Sequence, residues 1–346
     1  MISLVWRSDV HMADLGPVSR TDDWPTTVLS KLDQVARLAK RVNARAIIDG
    51  GDFFHVKSPL RNSHEMVCRV AEQQAKHGIP VWANIGNHDC KYGDMGFLGE
   101  QPLGVLYETG VFNRLYDGYE ARFECQMAVP EPEDEEGAEA ELLYLGVYPR
   151  SSKIIVRVVG IPYHGTKYDM SRLTSIQKGD EDFLVVAAHL LASPQGGQMF
   201  EAEDVVRYSD LADLAPDVWC FGHWHKDQGV TEIAPGKYIV NIGSLTRGSI
   251  SQDEMARTPA CASLRFGPEG IKIEVHPLEV AEPAQVFDLQ GRLRTESRDM
   301  VMSAFADSIR ESLQPTTHES FSQELASMDL PEEVRERAQA YLEAAR

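Results

Sequence analysis

The sequence predicts an α/β fold, and three observations indicate it. Short apolar runs alternate with segments of helical period in the first part of the chain. Each run is bounded by turn residues and leads into a polar motif. The chain has 346 residues, 43% of them hydrophobic and 25% charged, which allows one large core and a small second unit. The same composition excludes disordered, collagen-like and coiled-coil proteins.

Five of the apolar runs are predicted to be buried strands: Ile2–Ser8, Ala46–Asp49, Val81–Ile85, Phe183–Ala188 and Val218–Phe221. Helical segments lie between the first three runs, with apolar residues from Val28 to Val42 in one and from Met66 to Gln74 in the other. Gly78 and Pro80 predict the end of the second helix. This alternation of strand and helix is typical of right-handed crossovers in an α/β sheet.

The pattern changes after Asp89. Shorter alternating runs predict strands of a second sheet or its hairpins at 142–147, 154–161, 238–242 and 271–275. Residues 131–141 carry seven acidic side chains and no basic one, and we expect them to form an exposed loop or hairpin tip.

We predict two domains, 1–280 and 281–346, because the composition becomes helical near Ala281. Val301, Phe305, Ile309 and Leu313 share one face of a predicted helix. A last helix is expected to begin near Asp329 and Pro331, with acidic residues in its first turn. Its apolar stripe either packs on its own domain or serves as a docking face for a partner.

Charge and cysteine content limit the partners and the compartment. There are 34 basic and 53 acidic residues, a net charge of −19, so a polyanionic substrate needs a local attraction such as a bound metal. The five cysteines are scattered without a Cys-x-x-Cys pair, which predicts a reducing, cytoplasmic location. The run Ile2–Trp6 is too short for a signal peptide, and no stretch approaches the roughly 20 apolar residues that span a bilayer. We therefore expect no membrane association.

Chemically active side chains follow each of the five predicted strands. The carboxyl ends of strands in an open α/β sheet meet at one crevice, where such folds bind ligands. We therefore expect the five polar segments to converge there: Asp9 with His11, Asp52 with His55, Asn87 with His88 and Asp89, His189 alone, and His223 with His225.

Carboxylates, imidazoles and one amide suit Mn, Fe, Zn or Mg, and a dinuclear site is the simplest interpretation. One metal would take Asp9, His11, Asp52 and His225. The other would take Asp52, Asn87, His189 and His223, with the Asp52 carboxylate shared. Glycines before Asp52, Asn87 and His223 allow the backbone to turn and approach closely. Taken alone, a histidine such as His189 is more often a core residue; the ordered set indicates a site.

Two metals about 3.5 to 4 Å apart activate a water and clamp a phosphoryl group. The sequence therefore predicts phosphoester hydrolysis. His88 is the candidate that stabilises the transition state and protonates the leaving oxygen, and Asp89 is the candidate that orients it.

The segments DVH, GGDFFH, GNHD, His189 and GHWH resemble the five blocks of the calcineurin-like metallophosphoesterases over residues 1–250. Within that family the chain is most similar to SbcD-type DNA repair exonuclease subunits. His55 carries this closer likeness, because the break-repair nucleases often have histidine there, whereas many small-molecule phosphoesterases have aspartate or arginine.

The resemblance implies a four-layer sandwich, two facing mixed sheets flanked by helices, with a small helical C-terminal extension. It implies two manganese ions and cleavage of DNA as an exonuclease or endonuclease, with His88 catalytic and His55 at the scissile phosphate or its leaving side. It also implies a homodimer through the helix near 63–77. The C-terminal helices would form a reduced cap or bind an SbcC-like ATPase, since this chain contains no G-x-x-x-x-G-K-[ST] loop.

Two other functions remain open at this point: a small-molecule phosphatase or cyclic-nucleotide phosphodiesterase of the same fold, and a non-catalytic scaffold. The chain keeps the full set of candidate metal ligands, which argues against a non-catalytic scaffold. DNA binding needs basic residues that neutralise phosphates. The candidates for a basic rim are Arg61, Arg150, Lys153, Arg157, Lys167, Arg172 and Arg247.

Overall fold

The computed structural model describes residues 1–55, 62–91, 94–126, 153–199, 203–289 and 330–344, and the single residues 291, 325 and 328. The chain divides into two compact units, Met1–Asp288 and Leu289–Arg346. The first unit includes Val286 and Asp288 because the carbonyl of Val286 accepts from Thr21 N–H (3.1 Å) and the Asp288 N–H donates to Ser19 (3.0 Å). The domain boundary expected between 280 and 281 stays a prediction.

The first unit contains fifteen strands in its described residues. In chain order they are β1 (Ile2–Arg7), β2 (Ala46–Asp49), β3 (Val81–Ala83), β4 (Asn113–Arg114), β5 (Glu120–Gln126), β6 (Lys153–Ile161), β7 (Phe183–His189), β8 (Ala192–Ser193), β9 (Gly197–Met199), β10 (Glu203–Arg207), β11 (Val218–Gly222), β12 (Gly229–Ala234), β13 (Lys237–Asn241), β14 (Ala260–Gly267) and β15 (Gly270–Pro277).

The helices are α1 (Trp24–Arg41), α2 (His64–His77), α3 (Pro102–Glu108), α4 (Met170–Thr174), α5 (Gln252–Ala256), α6 (Pro283–Val286) and, in the second unit, α7 (Glu332–Ala344). Two 3-10 helices cover Met95–Glu100 and Tyr208–Leu211. None of the helices in the described ranges has the length and apolar character that a bilayer crossing requires.

Two six-stranded mixed sheets form the centre of the first unit. The first has the order β15-β14-β1-β2-β3-β4, with β1 to β4 parallel and β14 and β15 antiparallel. The second has the order β12-β13-β11-β7-β6-β5 and is parallel from β13 to β6. All five predicted strands are confirmed, and they supply β1, β2, β3, β7 and β11.

The sheets face each other across one apolar layer and are covered on their outer faces. Leu4 and Trp6 of β1 point inward, to a layer that also contains Val185 of β7, whereas Val5 packs outward with α1 and α2. The short helix α4 and the 3-10 helix Tyr208–Leu211 pack on the outer face of the second sheet. The predicted arrangement of two facing mixed sheets flanked by helices is confirmed.

The two predicted helices between the first strands begin and end at clear signals. The Asp23 side chain caps α1 and the Ser63 side chain caps α2, each accepting a backbone N–H of the first turn. Gly78 ends α2 in the left-handed conformation. The predicted C-terminal helix is present as α7. The acidic segment 131–141, the run 142–147 and the helix face from Val301 to Leu313 lie outside the described residues.

A buried amide joins the two sheets near the carboxyl ends of their strands. Asn84 follows β3 in the first sheet, and its Nδ2 donates to the carbonyls of Ile161 (2.8 Å) and Ala187 (3.0 Å) in the second. The residue is fully buried. These two bonds fix the separation of the sheets beside the loops that follow β3 and β7.

We expect Asn84→Ala to lower the free energy of unfolding by about 2 kcal/mol, since each buried carbonyl left without its donor costs about 1 to 3 kcal/mol. Urea denaturation measures the change. Asn113→Ala is the matched control: it removes an amide bond to Val81 (3.2 Å) at an exposed edge position and should have a much smaller effect. Equal losses in the two variants would contradict the role given to Asn84.

Candidate functional site

The loops after β1 and β2 continue side by side beyond the end of the first sheet. Backbone N–H groups of Asp9, His11 and Met12 donate to carbonyls of Gly51, Asp52 and Phe53 at 3.1, 2.9 and 2.8 Å. The N–H of His55 donates back to Met12 at 2.9 Å. The two loops therefore hold their polar side chains in fixed directions.

Several of these side chains come from residues with unusual backbone angles. In the part of the chain that the structure describes, five non-glycine residues have a positive φ, and four of them are Asp9, His11, Asp52 and His223, at 54°, 52°, 53° and 89°. The fifth, Asn43, follows α1. Such angles are uncommon for residues with a Cβ and cluster at functional sites. The strain coincides with the predicted ligand positions.

The first group of donors contains Asp9, His11, Asp52 and His225, which lie close enough to hold one metal ion. The Nε2 atoms of His11 and His225 are 2.8 Å apart. His225 Nε2 lies 3.7 Å from Asp9 Oδ1, and His11 Nε2 lies 3.9 Å from Asp52 Oδ2. Sequence reasoning predicted this set of four, and the structure brings all four together.

The second group contains Asp52, His189 and His223. His189 Nε2 lies 3.4 Å from the same Asp52 Oδ2 that faces His11, and 3.3 Å from Asn87 Oδ1. His189 Nδ1 pairs with the carbonyl of Gly50 at 2.9 Å, which leaves Nε2 for a cation. The structure thus brings together the second predicted set, and Asp52 belongs to both groups.

Two glycines permit the close approach of the loops to Asp52. Gly51 has a φ of 100°, which residues with a Cβ rarely adopt. A Cβ on Gly86 would lie 2.0 Å from Asp52 Oδ1. Because Gly86 has no side chain, the loop after β3 also comes close enough for the His88 N–H to donate to Asp52 Oδ1 at 2.7 Å.

His55 and His88 form a third group with His11. The rings of His55 and His88 stack with centroids 4.6 Å apart, and His55 Nδ1 lies 3.1 Å from His11 Nδ1. Both oxygens of Asp89 accept backbone N–H groups, from Phe54 at 2.8 Å and Gly86 at 2.9 Å. Asp89 therefore holds the two loops together, and its predicted orientation of His88 stays a prediction.

The sequence reasoning missed Glu203. Its Oε1 lies 2.8 Å from His223 Nε2 and accepts the Tyr168 hydroxyl at 2.9 Å, while the Tyr168 oxygen accepts the Leu191 N–H at 3.0 Å. Because Nε2 of His223 faces Glu203, only Nδ1 is left for a cation, and this buried atom has no hydrogen-bond partner among the described residues. Nothing in the sequence distinguishes Glu203 from its acidic neighbours Glu201 and Asp204.

At His11 and Asp52 the electrostatic environment favours the protonation states that bind cations. Burial, followed by the neighbouring His225, lowers the pKa of His11 well below its ordinary value. Burial raises the pKa of Asp52, but His189, His88 and His11 outweigh it and the net pKa is well below the ordinary value. Burial and then Asp52 raise the pKa of Asp89 well above the ordinary value. An ionised Asp52 and a neutral His11 both present lone pairs.

His189 responds to the same carboxylate. Burial lowers the pKa of His189, but the Asp52 charge outweighs burial and raises the pKa to about 9. A divalent cation between Asp52 and His189 would repel that proton and favour the neutral ring.

Two divalent metal ions fit these residues. The donors are carboxylate oxygens, imidazole nitrogens and one amide oxygen, without a thiolate, and the converging nitrogens of His11, His225 and His223 are arranged as ligands. Such donors suit Mn, Fe, Zn or Mg, so they do not select one metal. The Asp52 carboxylate is placed to be shared.

The chain was compared with known families, curated sequences and solved structures. A family model described as calcineurin-like phosphoesterase matches residues 6–227. Among solved structures, the chain is similar to a dimetal phosphatase from Danio rerio, with 12% identity and a TM-score of 0.44, over 80% of this chain and 99% of that one. No curated protein sequence matches the chain significantly.

We expect Glu203→Ala to weaken the binding of one metal ion by roughly 10- to 100-fold, because a metal-bound histidine loses the carboxylate that orients it. Titration of the metal-free chain with Mn²⁺ in a calorimeter measures both affinities. Asp210→Ala removes an exposed carboxylate further along the chain and should leave both affinities unchanged. Unaltered Mn²⁺ binding in Glu203→Ala would show that Glu203 does not support a ligand.

Proposed function

The chain belongs to the calcineurin-like phosphoesterase family, and from this premise we propose that it hydrolyses phosphodiesters, with DNA ends as its substrate. Family membership and the two His/Asp groups make it a metal-dependent phosphoesterase. The observation that carries the proposal further is the third group, in which His55 and His88 lie beside His11 without belonging to either metal group.

Different residues have different roles in the reaction. Metal ions, when bound, supply a nucleophilic water at neutral pH and offset the charge of the phosphoryl oxygens. Asp9, Asp52, Asn87 and the four ligand histidines hold and orient that centre. His88, whose backbone is fixed by its N–H bond to Asp52, donates a proton to the departing oxygen. A departing sugar alkoxide needs that proton, and imidazole supplies one near neutral pH.

His55 supports His88 through the stacked rings and reaches His11 through Nδ1. If His11 uses Nε2 for a metal ion, its Nδ1–H donates to His55 Nδ1, which places the His55 proton on Nε2. His55 then presents an N–H donor for a phosphoryl oxygen. This is the role that the resemblance to SbcD-type subunits implies.

The cleft beside the three groups supports an extended substrate. It has a volume of about 910 Å³ and is lined by His55, His88 and residues of two further segments, 13–17 and 248–257. This volume is near the upper end of the roughly 300 to 1,000 Å³ that small-molecule sites occupy. A phosphate group alone would fill a small part of it, whereas nucleotides on both sides of a phosphodiester would fill more.

A second candidate, a small phosphodiester or phosphomonoester, is favoured by the pairing of basic residues. Four members of the predicted basic rim have acidic partners, Arg247 is buried, and Arg61 and Arg150 lie outside the described residues. The pairs are Lys153 with Glu124, Arg157 with Glu181, Lys167 with Asp204 and Arg172 with Asp117. A duplex would have to compete with these acids for the same cations.

The proposal includes manganese as the native metal, a cytoplasmic location and an SbcC-like ATPase as partner. The cytoplasm is consistent with the five cysteines, all of which are free thiols. The proposal also includes a homodimer formed through α2. The exposed residues of α2 include His64, Glu65, Glu72 and Lys76, so such an interface would be polar.

A direct comparison of substrates tests the DNA assignment. We expect the purified chain with Mn²⁺ to shorten or nick end-labelled duplex DNA and to hydrolyse bis-p-nitrophenyl phosphate, because both contain phosphodiesters. Gel electrophoresis and absorbance follow the two reactions. Turnover of the small ester without any change in the DNA, even with a partner ATPase, would contradict the DNA assignment and favour the small-substrate function.

Two variants separate metal binding from proton transfer. We expect His88→Ala to keep two metal ions and to lose about 10²- to 10⁴-fold in hydrolysis rate, since it lacks the general acid. Asp52→Asn should lose metal, because both groups share that carboxylate. Elemental analysis after dialysis and initial rates measure the two properties. His64→Ala, on the exposed face of α2, is the control; normal turnover in His88→Ala would assign the proton to another residue.

A further inference from the structure

A second cavity lies in the first unit, separate from the metal groups. Its volume is about 290 Å³, and its lining includes the cationic side chains of Arg20, Lys31 and Arg247. Its other polar lining residues are the exposed Glu279 and four residues with hydroxyl groups, Thr26, Thr27, Ser30 and Thr246. Thr26 and Ser30 are exposed, so the cavity opens to solvent on that side.

Two of the three cations in this cavity, Lys31 and Arg247, have no ion pair within the described part of the chain. The described residues include three buried Lys or Arg residues, Arg7, Lys31 and Arg247. Arg7 has an ion pair with Asp49 at 2.7 Å. Lys31 is 6% exposed and Arg247 5% exposed, and their described hydrogen bonds go to backbone carbonyls, of Glu279 and Ala281 respectively. Burial of a charge without a counter-charge is costly.

The same charges repel one another. Burial, followed by the nearby Arg247 and Arg20, lowers the pKa of Lys31 to about 8, although Glu279 opposes the shift. Burial, followed by Arg20 and Arg257, also lowers the pKa of Arg247, although Glu254 and Glu282 oppose the shift. Arg20 itself is neutralised by Asp22, which accepts from its Nε and a terminal nitrogen at 2.7 Å each. An anion in the cavity would relieve the repulsion between Lys31 and Arg247.

We propose that this cavity is a binding site for a phosphoryl dianion, held by Lys31, Arg247 and the Ser30 hydroxyl. These two cations and one hydroxyl can donate to the oxygens of a phosphate. The hydroxyls of Thr26, Thr27 and Thr246 already donate to Asp23, Asp22 and the carbonyl of Val10. The volume lies just below the usual range for small-molecule pockets, which restricts the site to inorganic phosphate or the phosphate end of a larger molecule. The site is independent of the function proposed for the metal groups.

The cavity also touches the residues that hold the metal loop. Trp24 and Thr246 line both the cavity and the cleft. The indole N–H of Trp24 donates to the carbonyl of His11 (3.1 Å), and the Thr246 hydroxyl donates to that of Val10 (3.4 Å). A ligand in the cavity would therefore contact two side chains that brace the loop carrying Asp9 and His11.

Equilibrium dialysis with radiolabelled inorganic phosphate tests the site in the full-length chain. With Mn²⁺ present, phosphate can bind at the metal groups as well as in the cavity, so the titration is repeated after treatment with EDTA. We expect one phosphate per chain to remain bound without metal. Lys31→Met and Arg247→Met should each weaken that binding at least tenfold, and Lys40→Met, at an exposed position of α1, should not.

Thermal unfolding separates ligand binding from a structural role of Lys31. The carbonyl of Glu279 also accepts from Gln34 Nε2 at 3.3 Å, so Lys31→Met leaves that carbonyl with a partner. We expect the Tm of Lys31→Met to equal or exceed that of the parent chain in phosphate-free buffer, and to show no rise when phosphate is added. A lower Tm with an intact phosphate response would overturn the proposal.

Competition identifies the source of the phosphoryl group. Displacement of bound phosphate by a 5′-phosphorylated dinucleotide would assign the site to the phosphate end of a nucleic acid. Displacement by sulfate but not by the dinucleotide would assign it to the free ion. Phosphate binding that is absent without Mn²⁺, or that survives both Lys31→Met and Arg247→Met, would show that the cavity is not an anion site.

Discussion

The position of the Asp52 carboxylate is the constraint on which the rest of the site depends. One oxygen accepts the backbone N–H of His88, and the other faces both His189 and His11. These partners come from the loops after β1 and β3 of the first sheet and from the end of β7 in the second. The carboxylate can occupy this position because Gly86 has no Cβ to displace it. A single buried side chain therefore links the two metal groups with the loop that carries His88.

Backbone bonds keep that arrangement in place against strain. Left-handed angles at Asp9, His11, Asp52 and His223 are each unfavourable by about 1 to 3 kcal/mol. The paired loops after β1 and β2 oppose that strain with successive N–H to carbonyl bonds, and Asp89 adds two more from its carboxyl group. The buried pair of Arg7 and Asp49 lies immediately before those loops. The strain is concentrated where side-chain direction matters for ligand binding.

Sequence reasoning predicted the features that follow from local patterns and missed contacts between particular side chains of distant segments. The five strands were predictable because each apolar run is followed by a polar segment that cannot continue it, and β-sheet order then brings those segments together. Glu203 was not predictable, because its contact with His223 depends on where β10 lies in the folded chain, and no local pattern indicates that position. The basic rim stays a prediction, and the ion pair of Lys167 with Asp204 could not be predicted from the sequence for the same reason. Arg20, Lys31 and Arg247 line one cavity, although their spacing in the sequence does not indicate that they lie together.

The distribution of charge explains how an acidic chain can act on phosphate esters. A net charge of −19 repels polyanions at long range, so attraction has to be local. Exposed cations such as Lys167 and Arg172 already have ion pairs with neighbouring acids. Lys31 and Arg247 are instead buried, without an ion pair among the described residues, in a cavity that shares Trp24 with the cleft. In such a concave site the low dielectric strengthens the attraction of the two cations for a single phosphoryl group.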